Sequence, residues 1–403
     1  MTKPQIAAAI REFVDAGMLA GAATLVWQAG KVLQTDAVGW RDVERQLPMT
    51  RDTLFRIASM TKPITATVAL MLHEEGRFAL DDPITRWAPE FAQMRVLRTP
   101  AGDLSQTEPS ARPITFDDLL THRSGLTYAD FQSGPIVQAY QDALGGAIDS
   151  DVPPEEWIAN LAALPLIDQP GAAFHYGHST DLLGFLIARI EDASLGDVLK
   201  RRIFDPLGMQ ETGFTVPVAK QARCAAPHGF DAAGRLTVLR SGPGNSFLAE
   251  RPEGMAYVSG GQGLWSTVDD YLAFARIFVN GGAVDGVRLL QPATLTRMVT
   301  NQLSAEQRIG AGSLLNPGHG FGLGVGVVLD AKAAGPMPCG GGVGAVGWPG
   351  AFGGWWRADP TNHAVLIFLT HNMVELEQLY AGIGMGVYEA IEWFAVEAAG
   401  VLG

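Results

Sequence analysis

The chain reads as an α+β fold in which one antiparallel sheet is flanked by helices from both chain ends and an all-helical lobe is inserted between. Three observations predict it. Strand-like runs lie near both ends, in ATLVWQ and KVLQTDAVGW early and in 354–357 and 364–370 late. Helical spacing dominates from about 60 to 215. Apolar residues at helical spacing also open and close the chain. The simplest packing pairs the first and last strands in one sheet, covers it with the terminal helices, and sets the helical middle apart as a second lobe.

In order, Ile6, Ile10, Phe13 and Val14 mark a first helix over 3–17, ended by Gly21. Ala29-Gly30 joins the two early strand runs as a hairpin. A strand-like run at 53–57 leads into TKPITATVALMLHEEGRF, a long helix with few charges and therefore buried. Segments 115–122, 136–145, 154–163, 179–192 and 196–203 read as helices, and the polar stretch 97–112 as a loop. After about 255 glycine-rich turns alternate with strands, including 321–329. A closing helix over 376–398 carries Leu379, Ile383, Val387, Ile391 and Phe394.

Composition narrows the function. Of 403 residues 47% are hydrophobic and 18% charged, which fits a packed core and argues against disorder. The 48 glycines cluster at 260–263 and 340–354, so they read as tight turns. With 29 Lys+Arg against 42 Asp+Glu, the net charge of −13 disfavours nucleic acid and anionic membranes as partners. Two cysteines, Cys224 and Cys339, supply neither a disulfide framework nor a metal cluster. The first residues read as an amphipathic helix, no run approaches the ~20 apolar residues of a membrane span, and a cytoplasmic setting is expected.

Three stretches carry chemistry. Ser59-Met60-Thr61-Lys62 places a hydroxyl and an amine three residues apart at a helix start, on one side of the helix. A serine hydroxyl needs a base within hydrogen-bond reach, and a lysine serves when its surroundings favour the neutral amine. The bland alternative is an exposed lysine in a first helical turn. Phe174-His175-Tyr176-Gly177-His178-Ser179 pins Tyr176 in a loop at a helix start; a phenol becomes a useful base only beside a cation such as Lys62. Taken alone, a buried structural tyrosine explains it as well. Gly347-Trp348-Pro349-Gly350-Ala351-Phe352-Gly353-Gly354 brings backbone close to a ligand, where a main-chain N–H can serve as half of an oxyanion hole, the Ser59 N–H at its helix start being the other half. A glycine-rich hairpin with core tryptophans is the competing account. His178 is balanced between a substrate-pocket donor and a loop anchor, and Tyr128 and Phe352 between pocket wall and core.

Together, in this order, the three stretches resemble the S-x-x-K, Y-x-N and K-T-G motifs of the serine β-lactamase and penicillin-binding protein superfamily. Segments 115–126, 206–212 and 260–270 are similar to further family segments, and the resemblance spans 5–395 as one family domain. It implies a β-lactamase/transpeptidase-like fold with an α/β lobe made of 1–58 and 216–403 and a helical lobe of 59–215. His178 stands where that family has asparagine, and Trp348 where it has the lysine that helps hold a substrate carboxylate. This combination resembles the family VIII carboxylesterases. It implies catalysis by Ser59, Lys62 and Tyr176, an oxyanion hole from the N–H groups of Ser59 and Ala351, substrate contacts from Trp348, Gly350, His178, Phe352 and Tyr128, a small ester as substrate, and no cofactor or metal. Alternatives are a β-lactamase or D-aminopeptidase, which needs another cation such as Arg357, and an acyltransferase to a small alcohol or amine. A non-catalytic binder that kept the fold is a further class, disfavoured by the joint presence of Ser59, Lys62 and Tyr176.

Other motifs point nowhere. G-x-G-x-x-G at 342–347 is followed by Trp348-Pro349-Gly350, which cannot open the helix that a dinucleotide site requires. There is no G-x-S-x-G, no H-E-x-x-H and no paired C-x-x-C. His122 is expected to be a structural hydrogen bonder.

Overall fold

A computed structural model describes residues 6–241, 247, 255–335 and 340–402, so Cys339 lies outside the described residues. Eight strands form the main sheet: β1 (Gly21–Gln28), β2 (Lys31–Asp42), β3 (Leu47–Pro48), β4 (His319–Phe321), β5 (Gly326–Val328), β6 (Val346–Gly347), β7 (Trp355–Asp359) and β8 (Ala364–Leu369). Their spatial order is β4-β5-β6-β7-β8-β1-β2-β3, antiparallel throughout. The first and last strands meet at the centre, with Ala23 opposite Leu369 and Gln28 opposite Ala364. The β1–β2 hairpin turns on two residues with positive φ, Ala29 (46°) and Gly30 (91°), the backbone that a two-residue turn needs to match strand twist.

Strand β8, AVLIFL, is buried throughout because both sheet faces are covered. Alternation splits its side chains. Leu366 and Phe368 join Val26, Ile391 and Phe394 under α1 (Ile6–Asp15) and a C-terminal helix; Val365, Ile367 and Leu369 join Leu25, Trp356, Ile64 and Val68 on the other face. That second face receives α2 (Thr61–Glu74), whose residues from Thr61 through Leu70 are all buried. Behind α2 stand further helices, among them α3 (Ser179–Glu191). The fold is β-lactamase/transpeptidase-like.

The structure departs from the sequence reading where glycine decides. The run 321–329 is two strands, because the chain reverses between them at Gly324 (φ +84°). A Cβ there would sit 2.5 Å from the Ala66 methyl, so glycine also lets this turn press against α2. The closing helix is broken into Leu376–Tyr380 and α4 (Met385–Ala399), with Gly382 and Gly384 at φ +75° and +76° between them. The expected loop at 97–112 contains a short ribbon, Arg95–Leu97 paired with Thr107–Pro109. The expected helix at 196–203 runs Leu195–Leu199 and then widens into a π turn over Lys200–Phe204. The G-x-G-x-x-G stretch leads into strand β6 and opens no helix.

Candidate active site

Ser59 lies in a single 3₁₀ turn, Ala58–Met60, that runs directly into α2. Ala58, just before it, is held in the left-handed region at φ +43°, a conformation that costs a non-glycine residue about 1 kcal/mol or more. Neighbours hold this turn. The Tyr271 hydroxyl donates to the Met60 carbonyl at 3.0 Å, the Leu264 N–H donates to the Thr61 hydroxyl at 3.2 Å, and the Thr65 hydroxyl donates to the Gly260 carbonyl at 2.6 Å.

One turn along, Lys62 is fully buried. Its Nζ lies 3.0 Å from Ser59 Oγ, 3.1 Å from the Gly261 carbonyl and 3.3 Å from the Tyr128 hydroxyl. It also sits over the face of the Tyr176 ring, 4.5 Å from the centroid, where the ring's negative face attracts a cation. So the structure brings Ser59 and Lys62 together as the spacing predicts.

Tyr176 is placed otherwise than expected. Its hydroxyl makes no hydrogen bond to Ser59 or Lys62; it accepts one from Trp348 Nε1 at 2.7 Å. The phenol hydrogen-bonded to Lys62 is that of Tyr128. Two abutting loops explain the proximity: a Cβ on Gly177 would stand 2.3 Å from the Thr127 Cα, so only glycine there lets the Tyr128 loop run beside the Tyr176 loop. The Tyr128 N–H then donates to the Tyr176 carbonyl at 3.3 Å. Burial, reinforced by the nearby Asp181 charge, pushes the Tyr128 phenol well above its ordinary range, which keeps it protonated.

Three assigned substrate contacts lie behind the site. The His178 ring is buried among Tyr128, Tyr140 and Trp157, and its Nδ1 lies 3.0 Å from Asp181 Oδ2. It is the loop anchor of the two readings, because the helix-starting turn of α3 tucks the ring inward. Phe352 is fully buried against Phe247 and His371. Tyr128 is a neighbour of Lys62 more than a pocket wall. Neither ring nitrogen of His122 has a hydrogen-bond partner among the described residues; the ring packs on Tyr176, Phe174 and Phe321, and its backbone carbonyl accepts the His175 N–H at 2.8 Å. The expected structural hydrogen bond therefore comes from the main chain.

Trp348 closes one side, packed with Tyr176 and Phe321. Gly350 presses against the turn before Ser59; a Cβ there would lie 2.4 Å from the Ile57 carbonyl oxygen. This close approach sets the Gly350 backbone against the turn that carries Ser59, and the backbone N–H groups of Ser59 and Ala351 have no acceptor among the described residues. Arg357, the candidate substitute cation, stands on β7 with its guanidinium 5.9 Å from the Trp355 ring centroid.

Sequence reasoning missed Asp181. It lies in the first turn of α3, fully buried, and accepts hydrogen bonds from Tyr128, His178, Ser259 and Gly261. Its signal was available: a lone carboxylate within the apolar run TDLLGFLI is expensive to bury without partners. A second buried carboxylate, Asp149, pairs with Arg56 at 2.5 Å.

Comparison with known proteins gives consistent relatives. The Beta-lactamase family profile matches residues 6–381. Protein Rv1367c of Mycobacterium tuberculosis is 45% identical over 371 residues, covering 92% of this chain and 90% of that protein. Esterase EstB of Burkholderia gladioli is 32% identical over 372 residues, covering 89% and 87%. Among solved structures, EstCE1, described as a hydrolase with promiscuous acyltransferase activity, superposes with a TM-score of 0.77 at 26% identity over 96% of this chain and 97% of that one. With the profile running through nearly all its strands and helices, the chain belongs to the Beta-lactamase family.

Proposed function

We propose that this protein is a serine ester hydrolase acting on short, neutral carboxylic esters through an acyl-enzyme on Ser59. The observation that carries the reading is the 3.0 Å contact between Ser59 Oγ and the fully buried Nζ of Lys62 at a helix start. A hydroxyl so paired is the arrangement of an activated nucleophile. The names of two relatives, an esterase and a hydrolase with acyltransferase activity, support ester chemistry.

The chemistry balances as follows. Lys62 Nζ takes the Ser59 proton while Oγ bonds to the ester carbonyl carbon. The oxygen that becomes negative is held by the N–H groups of Ser59 and Ala351, each such donor being worth about 3–4 kcal/mol of transition-state stabilisation. The tetrahedral intermediate then expels the alcohol, whose oxygen needs a proton. We assign that proton to Tyr176: its oxygen accepts from Trp348 Nε1, and its own O–H has no acceptor among the described residues. The proton on Lys62 returns to Tyr176 through a solvent water bridging the two groups, which share no direct hydrogen bond. Water repeats the sequence in reverse to release the acid.

Trp348 decides the substrate class. It presents an aromatic wall and a nitrogen already engaged with Tyr176, and it offers no cation to a substrate carboxylate. Neutral esters therefore fit better than β-lactams or peptides. Acyl transfer to a small alcohol is the second reading, favoured by the EstCE1 likeness. Turnover of p-nitrophenyl butyrate, with a fluorophosphonate mass shift on Ser59 and both lost in Ser59→Ala, tests the proposal; turnover retained in that variant refutes it. Nitrocefin hydrolysis at a comparable rate would return the assignment to a β-lactamase, and ester products formed with added alcohol would establish transfer.

A further inference from the structure

The carboxylate of Asp181 sits one residue removed from the Ser59–Lys62 pair, touching neither, yet bonded to both groups that bracket the lysine. We infer that Asp181 is a positioning residue that aims the free electron pair of Lys62 at the Ser59 hydroxyl. The inference rests on the reading of Ser59 as nucleophile and Lys62 as its base.

Counting donors leads there. A neutral lysine amine has two N–H bonds and one lone pair, and Lys62 Nζ has three neighbours: Ser59 Oγ, the Gly261 carbonyl and the Tyr128 hydroxyl. The carbonyl can only accept. A hydroxyl can donate or accept, and Asp181 decides which: Tyr128 donates its proton to Asp181 Oδ2 at 3.1 Å, so its lone pairs face Lys62. Both N–H bonds are thereby taken by Gly261 and Tyr128. The lone pair is left for the third neighbour, the Ser59 O–H. Had Tyr128 been free to turn its proton to Lys62, the lone pair would meet Tyr128 and an N–H would face the serine, a geometry that cannot accept the serine proton.

Asp181 also fixes the second acceptor. Its Oδ1 receives the Gly261 N–H at 3.0 Å and the Ser259 hydroxyl, so the peptide whose carbonyl meets Lys62 is tied to the same carboxylate. The fit is tight: a Cβ on Gly261 would lie 3.0 Å from Asp181 Oδ1 and 3.1 Å from the Tyr128 oxygen. His178 supplies the fourth donor through Nδ1 at 3.0 Å. Four donors converge on one buried carboxylate, which can then accept all four only as the anion. Burial alone would push the Asp181 pKa up; the His178 contact, the Lys62 charge whenever that amine holds a proton, and the Ser259 hydroxyl outweigh it and hold the carboxyl below its ordinary range. The other titratable ring facing this cluster is that of His122, which burial and Lys62 keep neutral.

The test reads Ser59 directly, as the second-order rate of fluorophosphonate labelling, beside kcat and KM on p-nitrophenyl butyrate. Asp181→Asn puts an NH₂ where donors arrive, so Tyr128 must turn its proton toward Lys62. Labelling rate and kcat should both fall about 100-fold while KM stays within about twofold. Tyr128→Phe removes one acceptor and should cost about tenfold in both rates. Because the two side chains act through one hydrogen bond, the double variant should fall by clearly less than the product of the single losses. Wild-type labelling in Asp181→Asn, or strictly multiplicative losses, would overturn the inference. Should Asp181→Asn not fold, Tyr128→Phe decides, and an unchanged labelling rate in it overturns the inference. Failure here is separable from failure of the esterase reading, because the latter shows in wild-type protein as absent turnover and absent Ser59 labelling.

Discussion

Two buried carboxylates act on either side of Ser59, the proposed nucleophile, along the chain, and they are wired differently. Asp149 meets Arg56, three residues before Ser59, in a direct ion pair of 2.5 Å. Asp181 serves Lys62, three residues after Ser59, only through Tyr128 and Gly261. A guanidinium keeps its charge at any working pH, so direct pairing costs it nothing chemically and makes a clamp between the strand entering the site and the 149–150 segment. An amine that must give and take a proton is better served by a carboxylate at one remove, which orients it without locking it as a cation. Clamp and relay thus flank Ser59 along the chain, three residues to either side.

The largest effect should fall on the relay side. Ser59→Ala should lower kcat on p-nitrophenyl butyrate by about 10⁴-fold or more, about 5 kcal/mol, with an unchanged melting temperature. Steady-state kinetics beside a thermal melt check both halves. On the clamp side the sign of the comparison reverses: Asp149→Ala strips a buried guanidinium of its carboxylate and should cost about 3–5 kcal/mol of folding stability. Urea denaturation reads it, and a loss below 1 kcal/mol would erase the distinction between clamp and relay.

Acid should weaken the clamp side as well. His371 packs on Phe352 and Trp265 near Arg56, and burial, with the Arg56 charge and His228, pushes its pKa down to about 3. Unfolded, it would take up a proton near pH 6.5. Its contribution is therefore complete above about pH 6.5 and is lost as pH falls toward 3, by about 1.4 kcal/mol per pH unit within that window. Urea melts at pH 7, 6 and 5 should show at least this slope, and His371→Gln should reduce it by about that amount, leaving the share of His122, His228 and His319, whose pKa values burial also lowers. The smallest effect belongs to Trp348→Phe, which keeps the wall and removes the 2.7 Å hydrogen bond to Tyr176. About 1 kcal/mol, or a fivefold fall in kcat/KM, is expected, and an equal effect on nitrocefin and ester would show that Trp348 does not sort substrates.

Much of this architecture was legible in order and pattern. The apolar run of β8 and the hairpin at Ala29-Gly30 announced the central strands, and the low charge of 61–74 announced a buried helix. Ser59 and Lys62 were legible because a spacing of three residues is local geometry. Partners far apart along the chain were not. Which phenol reaches Lys62 depends on the Thr127 backbone crossing Gly177, a contact no spacing encodes, so the sequence leaves Tyr128 between pocket wall and core and does not reveal its hydrogen bond to the lysine. Sequence leaves His178 balanced between a pocket donor and a loop anchor, and the turn into α3 decides it by pointing the ring inward to Asp181. Asp181 carries no motif, and only its isolation in the apolar run TDLLGFLI marks it.

The central pairing of β1 with β8 has a consequence for biogenesis. Strand β1 leaves the ribosome more than 300 residues ahead of 364–369 and must wait for them before its second neighbour exists. Until then the early hairpin carries an open apolar edge, the kind of surface that invites mispairing with other nascent chains. Chains released short of that last strand should be insoluble, whatever the integrity of the Ser59 region, and full-length chains should gain solubility and esterase activity in one step.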